Sequence, residues 1–93
     1  MVVTAATNCA SENDGVRAWL ADYRRRRTAS LVERLERAVA GGELKPETDT
    51  RMLGDYYATV LHGLSVQARD GVPKKRLLAM IPVVMQAVDT AKV

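Results

Sequence analysis

The sequence predicts an all-α fold, a domain of three helices, on three observations. Strand signals are scarce: there is no Phe, aromatic residues make up 4% of the chain, and no segment alternates apolar and polar residues between Asn-Gly or Asp-Gly turns. Ala, Leu, Arg and Glu dominate, and these are strong helix formers. Apolar residues recur at spacings of three and four between Gly and Pro punctuation, the period of an amphipathic helix. The helices are expected over about 12–40, 50–70 and 73–91 of a single domain covering 1–93.

The first helix is expected to open near Glu12, where Ser11 and Asp14 form a Ser-x-x-acid start and Glu12 and Asp14 suit the positive end of the helix dipole. Its apolar stripe runs Val16, Leu20, Tyr23, then Leu31, Leu35 and Ala38, with Arg24–Arg27 between the two parts. Gly41-Gly42 ends it. Such a helix would be about 43 Å long, whereas a compact chain of this size has a radius of gyration of about 12 Å. It must therefore break near the arginines or lean on something else.

Pro46 cannot sit inside a helix, and Asp49 is a good N-cap for a second one opening at Thr50. Met52, Leu53, Tyr56, Tyr57, Val60, Leu61 and Leu64 fill two adjacent rows, more than one packing partner requires. Gly54, Ala58, Ser65 and Ala68 form a shallow row where another helix can approach closely. Asp70-Gly71 closes this helix, and Pro73 suits the first turn of the third. Leu77, Leu78, Met80, Ile81, Val83, Val84, Met85 and Val88 make that third helix apolar nearly all round. Pro82 sits within it and removes a backbone hydrogen bond, so a kink is expected there.

Charge and motifs exclude more than they assign. The formal charge is +3 and the sequence pI about 9.4, but the only dense basic run, Arg24–Arg27, points all the way round a helix and reads as a solvated belt paired to Asp22 or Glu33. Cys9 is the single cysteine, so no intramolecular disulfide forms and no cysteine-built metal site exists. A cytoplasmic location follows as the expectation: Met1–Ala10 lacks a basic n-region, and the apolar run Leu77–Val88 is too short to cross a bilayer. His62 is the only histidine and has no Ser, Asp or Cys at triad spacing. No catalytic residues, metal ligands or cofactors are therefore expected.

The stretch Leu61-His62-Gly63-Leu64-Ser65-Val66-Gln67-Ala68-Arg69-Asp70-Gly71 closely resembles a segment of the C-terminal domains of TetR/AcrR-type transcriptional regulators. Upstream, Arg34-Leu35-Glu36-Arg37-Ala38, Gly42-Glu43-Leu44 and Thr48-Asp49 with Leu53 are similar to that family's helix, turn and following helix cap. The matches cover roughly residues 12 to 88. The resemblance implies a homodimer in which the last two helices of each chain form a four-helix bundle across the interface. The residues expected there are Gly54, Ala58, Leu61, Leu64, Ser65, Ala68, Met80, Ile81, Val84 and Val88. It also implies a small apolar effector, for which Trp19, Tyr23, Met52, Tyr56 and Tyr57 are the candidate lining residues. Residues 1–10 then read as the remnant of a preceding helix. The helix-turn-helix part is absent from the stretch, so no sequence-specific DNA binding is expected of it. The rival reading is a small helical dimeric enzyme of the chorismate mutase type, which would need buried cations around a dianion, with Arg24, Arg27 and Lys75 as the residues to recruit.

Overall fold

The computed structural model describes residues 10–93, with side chains from Asp14 onward. It is all-α: α1 spans Ala10–Ala40, α2 Thr50–Arg69, α3 Lys74–Leu78 and α4 Ile81–Ala91. The one departure among the described residues is an isolated bridge between Leu44 and Lys92.

The close of α1 and both ends of α2 are where the sequence puts them, for reasons visible in their backbone bonds. At the end of α1, Gly42 adopts φ +82°, Glu43 N–H reaches the Ala38 carbonyl at 2.9 Å and Gly42 N–H that of Val39 at 3.1 Å. Gly71 repeats the device after α2 with φ +88°, Val72 N–H bonding Gln67 at 3.0 Å and Gly71 N–H bonding Ala68 at 3.2 Å. Both are Schellman closures, which need a left-handed residue and so favour glycine. Asp49 caps α2 by accepting from Met52 N–H at 3.0 Å. The start of α1 differs from expectation: the helix already includes Ala10, so Ser11 lies within it. Asp14 pairs with Arg17 at 2.8 Å.

α1 runs unbroken through Arg24–Arg27 and, at 31 residues, is about 46 Å long. The molecule measures 49 × 31 × 13 Å with a radius of gyration of 16.5 Å, so α1 sets its long dimension. Support comes from α2, which folds back along it after the Gly41–Asp49 turn. The two helices meet closest at Gly54, where a Cβ would collide with Cγ2 of Val32 and lie 3.5 Å from its Cα. Gly54 is buried within the chain. Gly54, expected at the interface between chains, thus packs on α1 of its own chain.

The expected third helix is in two pieces. Pro82 lacks an N–H for the Leu78 carbonyl and its ring crowds that same group, so the chain tightens over Ala79–Met80 and restarts at Ile81, with Pro82 in the first turn of α4. The break falls just before the proline, and it turns α4 onto α2. There the Tyr57 hydroxyl donates to the Val84 carbonyl at 2.9 Å and accepts from Val88 N–H at 3.1 Å. It joins the two groups that an α-helix would pair with each other. The chain end is tied down as well: Lys45 N–H bonds the Ala91 carbonyl at 2.8 Å and Val93 N–H that of Glu43 at 3.2 Å.

Tyr57→Phe removes both bonds and leaves the ring. Each hydrogen bond contributes about 1 kcal/mol net; the substitution is expected to cost about 1–3 kcal/mol in urea unfolding and to increase amide exchange at Val88 ahead of the rest of α4. An unchanged midpoint would show that the bridge contributes nothing.

Candidate functional site

Very little apolar surface is hidden by this arrangement. Among the described residues the only buried hydrophobic side chains are Leu44 and Leu53, at 3% and 5% exposure, whereas an ordinary core residue is enclosed by many neighbours. Besides Met52, Tyr56 and Val93, the large apolar side chains that remain open fall in two groups. One lies on α1: Val16, Trp19, Leu20 and Tyr23. The other is on α2, α3 and α4 and the turn between the last two: Leu61, Leu78, Met80, Ile81, Val83 and Met85. Open apolar faces of this kind on a small helical protein mark contact surfaces.

The expected interface residues divide accordingly. Leu61, Ser65, Ala68, Met80 and Ile81 are exposed, while Ala58, Leu64, Val84 and Val88 are half-buried. Val84 faces the Tyr57 hydroxyl through its backbone. Val88 lines a concavity of about 580 Å³ with Leu35, Ala38 and Leu44, near the chain end. Gly54 belongs to the internal crossing.

The five expected effector residues do not form one cavity. Trp19 and Tyr23 stack on each other on α1 with centroids 5.7 Å apart and planes at 12°, and Trp19 is 59% exposed. Tyr56 and Tyr57 meet edge to face on α2 at 5.1 Å. Met52 borders a separate shallow hollow of about 220 Å³ between Leu53 and the Ala87–Ala91 end of α4. The Tyr57 hydroxyl is engaged in holding α4. The reason for the dispersal is the lateral spread of the helices: residues that share a bulky, amphipathic chemistry are presented on different elements.

The arginine run is sorted by helical geometry. Arg26 and Arg25 pair with Asp22, at 3.0 and 3.7 Å, and Arg25 also lines, with Arg24, Arg51 and Asp55, a neighbouring hollow of about 490 Å³. Arg24 and Arg27, three residues apart and so on one face, line a groove of about 330 Å³ against Asp55, Ala58, Thr59 and His62 of α2. Lys75 is not among the residues lining it. Asp55 carries its own partner, Arg51, at 3.4 Å. The Nε of Arg27 is buried and makes no hydrogen bond. Such a groove was not anticipated from the sequence, although the three-residue spacing of Arg24 and Arg27 was a signal for it.

Among the described residues no cluster of three or more His, Cys, Asp or Glu side chains could hold a metal ion, and no helix is long and apolar enough to cross a membrane. Cys9 lies outside the described residues. Comparison with protein-family models gave no match, and neither the curated proteins nor the solved structures yielded one.

Proposed function

We propose that this chain is a dimerisation and effector-binding domain of a TetR-type transcriptional regulator. The observation that carries the reading is the open apolar surface of α2–α4, with Leu61, Met80 and Ile81 exposed on the helices that the resemblance assigns to an intersubunit four-helix bundle. Pairing through these residues would give each chain the hydrophobic partner it lacks alone. Effector binding is the second part of the role, and DNA reading lies outside these residues. The domain does no chemistry of its own.

A fusion tests the proposal in cells. A monomeric helix-turn-helix domain that holds its operator only when paired is joined to the full 93-residue chain, and repression of a reporter is measured. Repression comparable to that given by a known dimer is the expected result, and loss of it with Ile81→Asp the expected control. A fusion no better than the unpaired DNA-binding domain would overturn the reading.

The Arg24/Arg27 groove is where the rival reading, a small helical mutase acting on a dianion, would seat its substrate. That reading predicts conversion of chorismate by the purified chain, whereas the regulator reading predicts none.

A further inference from the structure

We propose that the groove between α1 and α2 is a binding site for a small monocarboxylic organic acid, held through its carboxylate by Arg24 and Arg27. The two arginines have no ion pair among the described residues, unlike Arg25 and Arg26, whose charges are answered by Asp22. Arg27 is half-buried, and its Nε is cut off from water without a hydrogen-bond partner. A buried donor left in that state is uncommon and costs stability, the more so when it is charged. Burial of Nε also restrains the guanidinium group, which lowers the ordering cost of binding an anion there.

The rest of the lining narrows the ligand. The Thr28 hydroxyl donates to the Arg24 carbonyl at 3.0 Å and the Thr59 hydroxyl to that of Asp55 at 2.8 Å, so their protons are committed to the helix backbone. Ala58 adds an apolar wall. What the groove offers is therefore a pair of guanidinium groups over a largely uncharged floor. The Asp55 carboxylate, already paired with Arg51, stands in the same lining and repels further negative charge, so a single carboxylate fits better than a phosphate or a dicarboxylate. The volume, about 330 Å³, lies at the small end of the range for small-molecule sites.

Pairing of chains leaves this groove open. Successive helical residues turn by about 100°, which puts Asp55, Thr59 and His62 on a different side of α2 from Leu61, Leu64 and Ala68, with Ala58 at the border between the two faces. As an anion site the groove stands independently of the dimer; as the effector site it rests on the regulator reading.

The test uses the full chain, titrated by two-dimensional NMR with benzoate and with benzamide, its uncharged counterpart. Benzoate is expected to shift the Thr28, Ala58 and Thr59 signals with a dissociation constant on the order of 1 mM, and benzamide to bind at least tenfold more weakly. Arg27→Gln should reduce benzoate affinity about tenfold, and so should Arg24→Gln, a substitution at an exposed position that keeps the test valid if the first variant unfolds. The Arg26→Gln variant, outside the lining of the groove, should bind as the parent does. Equal binding of benzoate and benzamide, no shift at these residues, or an equal loss in the Arg26→Gln variant would overturn the site. Tighter binding of inorganic phosphate than of benzoate would overturn the organic acid. None of these outcomes bears on whether the chain dimerises.

Discussion

Replacing Gly54 with valine is expected to lower stability by about 3 kcal/mol, enough to leave this chain at the margin of folding. The added Cβ runs into the Cγ2 methyl of Val32, with the Val32 backbone N and Cα close behind at 3.4 and 3.5 Å. Val32 cannot move aside cheaply, since a β-branched side chain in a helix has essentially one χ1 rotamer. The rest of the protein offers little reserve, because only Leu44 and Leu53 are buried hydrophobics among the described residues. Gly54→Ala sharpens the argument: in an open helix it would stabilise by roughly 0.5–1 kcal/mol, whereas here the collision should make it destabilising. Adding Val32→Ala should recover stability, with a coupling of about 1–2 kcal/mol between the sites in urea denaturation. A Gly54→Ala chain more stable than its parent would show that α1 and α2 do not meet at this crossing.

Ile81→Asp is expected to separate two chains while leaving each one folded to the same degree. Ile81 is 43% exposed in the single chain, so a polar replacement there should shift monomer stability by only about 0.5 kcal/mol. In the core of an interface the same change strands an unpaired charge, and a cost of about 3 kcal/mol raises the dimer dissociation constant roughly a hundredfold. Helicity at high protein concentration, read against the concentration at which the chains part, distinguishes the two effects. Val84→Asp would not do so as clearly, since Val84 is half-buried beside Tyr57, and its replacement disturbs the fold and the contact together. No change in dimer dissociation with Ile81→Asp would remove this residue from the interface.

Local signals in the sequence carried the helix limits. Gly42, Gly71 and Asp49 act through bonds to residues within five positions, so their roles could be read before any tertiary contact was known. Gly54 was legible as a site of close approach, but its partner is Val32 of the same chain, a residue beside the Leu31/Leu35 stripe. The choice between an internal crossing and a crossing between chains depends on how the α1–α2 turn directs the second helix, which periodicity does not specify. Leu44 is an isolated apolar residue in a turn, and its burial depends on the return of the chain end to Glu43 and Lys45. Tyr57 had the composition of a pocket residue; its use in bridging Val84 and Val88 follows from the break that Pro82 imposes on α3 and α4. For the arginines, the sequence supplied the spacing and the structure supplied the facing helix, which together separate Arg24 and Arg27 from Arg25 and Arg26.

In the proposed dimer a second copy of the chain covers the open apolar surface of α2–α4. At about 25 cal/mol per Å² of apolar area removed from water, several hundred Å² on each chain would yield a gross gain on the order of 10 kcal/mol, comparable to the cost of association. Sedimentation equilibrium of the unmodified chain at micromolar concentration tests this directly. The proposed dimer has a mass twice the 10.2 kDa of the chain and dissociates on dilution. A folded, monodisperse species of 10.2 kDa at those concentrations would contradict it.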